Sequence, residues 1–230
     1  MFCDECENTK WISLDVKKII AHLIGTKEDG SDVIGVYPLL PNGTCRFIIF
    51  DFDNHEKGAE VTDFANTDNE WHKEVEALRK MCELNGIRPL VERSRSGKGA
   101  HVWIFFKKAI PAATARNFGF LLLDKGSTSI NLKSFHYYDR MYPSQDVASS
   151  IGNLIALPLQ GQALKNGNSA FVDENWNRKY QKKTSINFFY ILINYMISSP
   201  TWKRKNFLTA LWNRWTFTSR SSRMADSSST

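Results

Sequence analysis

Cysteine is scarce in this 230-residue chain: there are only four, two of them in the pair Cys3-Asp-Glu-Cys6. That is too few for a disulfide scaffold and suits a reducing compartment, so a cytoplasmic location is expected. No apolar run approaches the roughly 18 to 20 residues that a membrane helix needs. The longest candidate, Phe188–Ile197, is short and contains Asn194. The opening Met-Phe-Cys-Asp-Glu-Cys lacks the basic stretch and apolar run of a secretory leader. Acidic residues are nearly missing from one end: residues 178–230 hold ten Lys and Arg against Asp226 alone, whereas residues 1–177 carry a net charge of −3. The overall +6 therefore belongs to that end. At 42% hydrophobic and 23% charged, the chain as a whole has the composition of a folded globular protein, which excludes wholesale disorder.

Mixed elements follow from the pattern. Ser13 is placed to cap a helix carrying Ile19, Ile20 and Leu23 and stopped by Gly25. Two strand-like runs, residues 33–40 and 45–53, flank Pro41-Asn42-Gly43-Thr44, a strong hairpin signal. An amphipathic helix opens at Asp68 or Asn69, with Trp71, Val75, Leu78, Met81, Cys82 and Leu84 on one side and Asn85-Gly86 at its end. Residues 89–94 and 101–106 read as strands around a glycine turn, and Pro111 starts another helix. A loop follows, then short strands at 153–158 and 171–172. The class is α/β (α+β).

Three segments carry chemistry. In Phe47-Ile-Ile-Phe-Asp51-Phe-Asp53 the two acids project from the same strand face, where their mutual repulsion calls for a cation. Hard oxygen donors favour Mg²⁺ or Mn²⁺. Taken alone, the pair also fits a strand running out into solvent. In Ser94-Arg-Ser96-Gly97-Lys98-Gly99-Ala100-His101 two glycines let backbone N–H groups approach an anion, and Lys98 and His101 add positive charge. With no helix following, this is not a Walker-type loop. The third segment runs from Tyr142-Pro-Ser-Gln-Asp146 to Gly152-Asn-Leu-Ile-Ala-Leu-Pro158-Leu-Gln160, with Lys165 and Asn168 beyond.

In this order and spacing, "FIIFDFDNH", "SRSGKGAHVWIFF" and "YPSQD…GNLIALPLQ" resemble the three motifs of the archaeo-eukaryotic primase superfamily, nearest to the primase domain of TOTE conflict systems. The resemblance runs from about Val33 to Trp176. It implies a catalytic module with an RRM-like unit packed on a second small α/β unit. It also implies template-directed nucleotidyl transfer by two-metal catalysis in a mobile-element defence system. Asp51, Asp53 and Asp146 then match the catalytic metal ligands, with Asp139 as the alternative third acid. Ser96, Lys98 and His101 match the grip on the nucleotide triphosphate, and Gln160 and Lys165 match further nucleotide contacts. The implied partners are nucleoside triphosphates, a single-stranded DNA or RNA template and a helicase module, with no membrane.

The expected organisation is an N-terminal segment 1–32, a primase-like catalytic domain 33–177 and a basic aromatic tail 178–230 that is atypical or partly disordered. Cys3 and Cys6 resemble half of a zinc knuckle whose other ligands would lie upstream, so Zn²⁺ is expected only with ligands from outside this sequence. Cys45 and Cys82 are expected as buried thiols. One alternative is a primase-like domain that binds nucleotide or single-stranded nucleic acid without turnover. Two rival enzymes fit less well. A haloacid-dehalogenase-like phosphatase would want Thr or Val where His55 stands, and a D-x-D glycosyltransferase leaves the Ser-Gly-Lys-Gly turn unexplained.

Overall fold

A computed structural model describes residues 15–54, 70–130, 135–147 and 153–178. Cys3, Cys6, Ser13, the start of the Trp71 helix and the tail beyond residue 178 lie outside these residues.

The first helix, α1 (Val16–Ile24), is capped by Asp15, whose carboxylate accepts from Lys18 N, and it ends on Gly25 in the left-handed region. The short strand β1 (Gly35–Val36) and the long strand β2 (Thr44–Asp53) follow. Next come α2 (Glu70–Leu84), β3 (Leu90–Arg93), β4 (Gly99–Pro111) and α3 (Ala112–Ser129). The chain closes with β5 (Tyr138–Tyr142), β6 (Ile155–Ala156), α4 (Gly161–Lys165) and β7 (Ala170–Val172).

Five strands form an antiparallel sheet in the order β5-β2-β4-β3-β7. Leaving out β7, the run β2-α2-β3-β4-α3-β5 is the β-α-β-β-α-β arrangement of an RRM-like (ferredoxin-like) unit, as expected. Even-numbered residues of β2 (Ile48, Phe50, Phe52) face α2 and α3 and are fully buried with Leu78, Val102 and Ala115. The odd-numbered Phe47 and Ile49 face the second unit and share a core with Ile19, Trp103, Tyr142, Ile155 and Phe171. Strict alternation is what gives one strand two cores. Cys45 and Cys82 are buried free thiols, pushed up by burial to about 11 and about 12.

The run at 33–40 does not pair with β2. The turn itself forms, with Leu40 N donating to Thr44 O at 2.8 Å, but β1 pairs instead with β6 in a separate two-stranded sheet. Pro38 denies the first arm a ladder donor, and the two sides of β2 are taken by β5 and β4. Helix α1, which falls in the expected N-terminal segment, packs in this second unit with α4. His22 ties it down: Ile34 N donates to Nδ1 at 3.1 Å, and Nε2 lies 3.1 Å from Pro158 O. The ring is therefore held as the Nε2–H tautomer, and burial lowers its pKa. Among the described residues no helix is long and apolar enough to cross a membrane.

Helix α2 also anchors the strand that enters the site. The buried Glu74 carboxylate accepts from His136 N at 2.7 Å and Tyr137 N at 2.9 Å, just before β5. At the last residue of the helix, Leu84 departs from expectation: it is 71% exposed. Burial pushes the Glu76 carboxyl up to about 7, only partly opposed by Arg79 at 3.1 Å. A carboxyl raised on folding stabilises the fold below its unfolded pKa and loses that contribution as pH climbs through the folded value. The melting temperature of Glu76→Gln relative to wild type should therefore rise between pH 5 and pH 8. A difference that stays flat in thermal melts across that range would contradict it.

Candidate active site

Counting register across the sheet on the face turned to the second unit, one line of residues reads Arg140 (β5), Asp51 (β2), His101 (β4), Glu92 (β3) and Phe171 (β7). Four neighbouring strands thus present charges of alternating sign. The next line, Tyr142, Ile49, Trp103 and Leu90, is an apolar floor. On the other side Asp53 lies opposite Gly99, where the sheet ends in the glycine turn.

His101 sits between two carboxylates. Its Nε2 is 3.5 Å from Asp51 Oδ1, and its Nδ1 is 3.1 Å from Glu92 Oε2. Burial alone would lower its pKa, but the Glu92 charge, aided by hydrogen bonds to both acids and the Asp51 charge, overrides burial and lifts it to about 10. The imidazolium places an N–H on each nitrogen, one aimed at each acid. Glu92 is 1% exposed.

The turn between β3 and β4 is internally braced. Ser94 N donates to Gly99 O at 2.9 Å, and Gly97 N to Ser94 O at 3.0 Å. The exposed Ser96 hydroxyl lies 3.0 Å from Ser94 Oγ and accepts from Lys98 N at 3.2 Å, so it shapes the turn. Gly97 has φ +76°, and Asn168 packs where its side chain would stand. Lys98 O accepts from Asn54 N at 3.1 Å, which fixes the turn beside Asp53.

The structure does not bring Asp146 to this row. Its carbonyl oxygen lies 3.6 Å from where a Cβ on Gly43 would stand, and its carboxylate pairs with Arg116 Nε of α3 at 2.7 Å. That is the Thr44 end of β2, some seven residues and about 20 Å of strand from Asp51. Asp139 is the nearer acid. Arg140 pairs with Asp51 and Tyr138 with Phe52, so Asp139 is the extra residue of a bulge directly beside Asp51. Its Oδ2 is 2.6 Å from Arg140 Nε. Burial pushes Tyr138 up to about 12, and the charges of both Asp139 and Asp51 act on it, as they do on Tyr142 and Arg140.

Gln160 also differs from expectation. It is 2% exposed and caps α4, with Oε1 accepting from Ala163 N at 2.8 Å and Nε2 donating to Asp32 Oδ1 at 3.3 Å. Both ends of its amide serve the fold. Lys165 is exposed at the end of α4, with Gln162 as its partner.

Asp51, Asp53 and Asp139 offer hard oxygens suited to Mg²⁺ or Mn²⁺. Among the described residues no three His, Cys, Asp or Glu side chains close into a metal cage. That fits a cation held by one or two carboxylates and completed by substrate phosphates. Glu92 and Arg140 are further members of the row that none of the three motifs marks. Glu92 was countable: a turn closed by Ser94 and Gly99 puts Arg93 across from Ala100 and Glu92 across from His101.

A family model described as "TOTE conflict system, Archaeo-Eukaryotic Primase domain" matches residues 1–187, a span that contains the charged row and its turn. Among curated proteins none matches the chain.

Proposed function

Because the chain belongs to the family of archaeo-eukaryotic primase domains of TOTE conflict systems, we propose that it extends a primer on a single-stranded DNA or RNA template by nucleotidyl transfer. The observation that carries this reading is the register line that sets His101 3.5 Å from Asp51, with Asp53 opposite Gly99 of the Ser-Gly-Lys-Gly turn. In the reaction the primer's 3′-hydroxyl gives up its proton to solvent and its oxygen bonds to the α-phosphorus of the incoming nucleotide. The bond from that phosphorus to the β-phosphate bridge breaks, and pyrophosphate leaves.

Asp51 and Asp53 would hold the divalent cations, with Asp139 rather than Asp146 as the third acid. Mg²⁺ or Mn²⁺ bound there would supply Lewis-acid activation of the hydroxyl and neutralise the triphosphate. Lys98 and the His101 imidazolium stand where they can offer positive charge to the phosphates as charge builds on the leaving group. The turn, whose amides are spent bracing it internally, would hold Lys98 in place beside the phosphates, and the apolar floor of Ile49 and Trp103 lies beneath the row. A helicase module would supply the single strand.

Primer extension with Mg²⁺ or Mn²⁺ on a single-stranded template tests the reading, with calorimetric nucleotide binding in parallel. Binding without any extension would favour a nucleotide-binding module that does not turn over. The two candidate third acids separate cleanly in the same assay. Asp139→Asn should lower turnover by about a hundredfold, while Asp146→Asn should stay close to wild type and instead lower the melting temperature by loosening Arg116. The reverse ranking would return Asp146 to the site.

A further inference from the structure

We infer that Glu92 is a positioning residue of this site: from the neighbouring strand β3 it fixes the His101 ring so that Nε2 faces Asp51. This rests on the nucleotidyl-transfer reading, and its own observations are geometric. Glu92 Oε2 accepts from His101 Nδ1 at 3.1 Å and from Trp103 Nε1 at 2.9 Å. Two donors from β4 thus converge on one oxygen. The other oxygen accepts from Ser169 Oγ at 3.4 Å, and Gln160 N donates to Ser169 Oγ at 3.3 Å.

The residues behind Glu92 are held at conformational cost. Leu159 and Ser169 both have positive φ, 68° and 53°, and Leu159 N donates to Ser169 O at 2.7 Å. Neither is glycine, and such backbone persists only where its surroundings over-determine it. Ser169 N also donates to Ser94 O at 3.3 Å, at the root of the glycine turn. The stretch from Leu159 to Ser169 therefore braces both the turn and the acid that aims the histidine. A carboxylate buried this deeply is expensive to desolvate, and a stability role alone would be met more cheaply by an apolar residue. With Nδ1 committed to Glu92, ring rotation about χ2 is blocked and Nε2 is presented to the row.

Two substitutions separate reach from charge. Glu92→Gln keeps an acceptor oxygen at full length for His101 and Trp103, and its amide can donate to Ser169 Oγ. Glu92→Asp keeps the charge but withdraws it by one methylene, out of reach of Nδ1. On the 230-residue chain, ¹⁵N spectra should show a hydrogen-bonded His101 Nδ1–H in wild type and Glu92→Gln and its loss in Glu92→Asp. In primer extension with Mn²⁺, kcat should fall by about a hundredfold in Glu92→Asp but only by about tenfold in Glu92→Gln, which keeps the ring aimed while giving up the carboxylate that favours its charged form. The nucleotide KM should move less than kcat, and thermal melts confirm that both variants fold. Wild-type kcat in Glu92→Asp, or Glu92→Gln as slow as Glu92→Asp, overturns the assignment. A wild-type chain that extends no primer overturns the functional reading alone, since the Nδ1–H signal still decides whether Glu92 holds the ring.

Discussion

Asp51→Asn is expected to reduce primer extension by about a thousandfold or more while leaving the fold in place. The side chain sits on the polar line of the sheet, and its strand neighbours Phe50 and Phe52 point the other way into a fully buried core. An isosteric amide therefore disturbs no packing. It removes the charge that recruits a divalent cation, and it removes one of the two carboxylates that flank His101. Asp53→Asn should behave alike. Nucleotide binding, measured by calorimetry without added metal, should change far less than turnover. Undiminished extension by Asp51→Asn at saturating Mn²⁺ would remove these acids from the mechanism.

The second large effect concerns shape. Gly99→Ala should lower stability by about 2–3 kcal/mol and the melting temperature by several degrees. Gly99 pairs with Asp53, and a Cβ there would collide with the Phe52 carbonyl oxygen and come within 2.9 Å of Asp53 Cα. Both obstacles are backbone atoms of the neighbouring strand β2, which is paired on both sides, so neither can swing aside. The strands would have to part at the point where the turn meets the acids. At Gly97 the obstacle is instead the Asn168 amide, which can rotate, although φ +76° strains any side chain. Gly97→Ala should therefore cost less, about 1 kcal/mol. Urea and thermal melts that rank the two the other way, or that leave Gly99→Ala unchanged, would contradict this account of the close approach.

Elements with one dominant signal were readable in the sequence. The apolar stripe of α2, the alternation along β2 and the glycine turn between β3 and β4 each follow from local chemistry, and each stands in the structure. Strand β5 has no such signal and its sequence reads as loop, because Tyr138-Asp-Arg-Met-Tyr142 carries two charges in its middle and borrows its conformation from one neighbour, β2. The pairing of β1 with β6 joins residues about 120 apart and leaves no local trace. The same limit applied to the site. Same-face placement of Asp51 and Asp53 is a property of one strand, but the choice between Asp139 and Asp146 depends on how β5 docks, and that needed the bulge opposite Asp51. Gln160 misled because its neighbours form a motif, while its own amide is consumed by the start of α4 and by Asp32.

The charged line draws on residues 51, 92, 101, 140 and 171, one from each strand of the sheet. Pairings so far apart along the chain are slow to close, because each must overcome the entropy of a long loop before any contact rewards it. The hairpin of β3 and β4 can form early and locally, carrying the histidine and its glutamate with it. The acids of β2 and β5 join only when the outer strand zips on, and the bracing stretch before β7 emerges from the ribosome later still. The full row therefore exists only once the last of the five strands has docked, so its assembly reports that this sheet has finished folding.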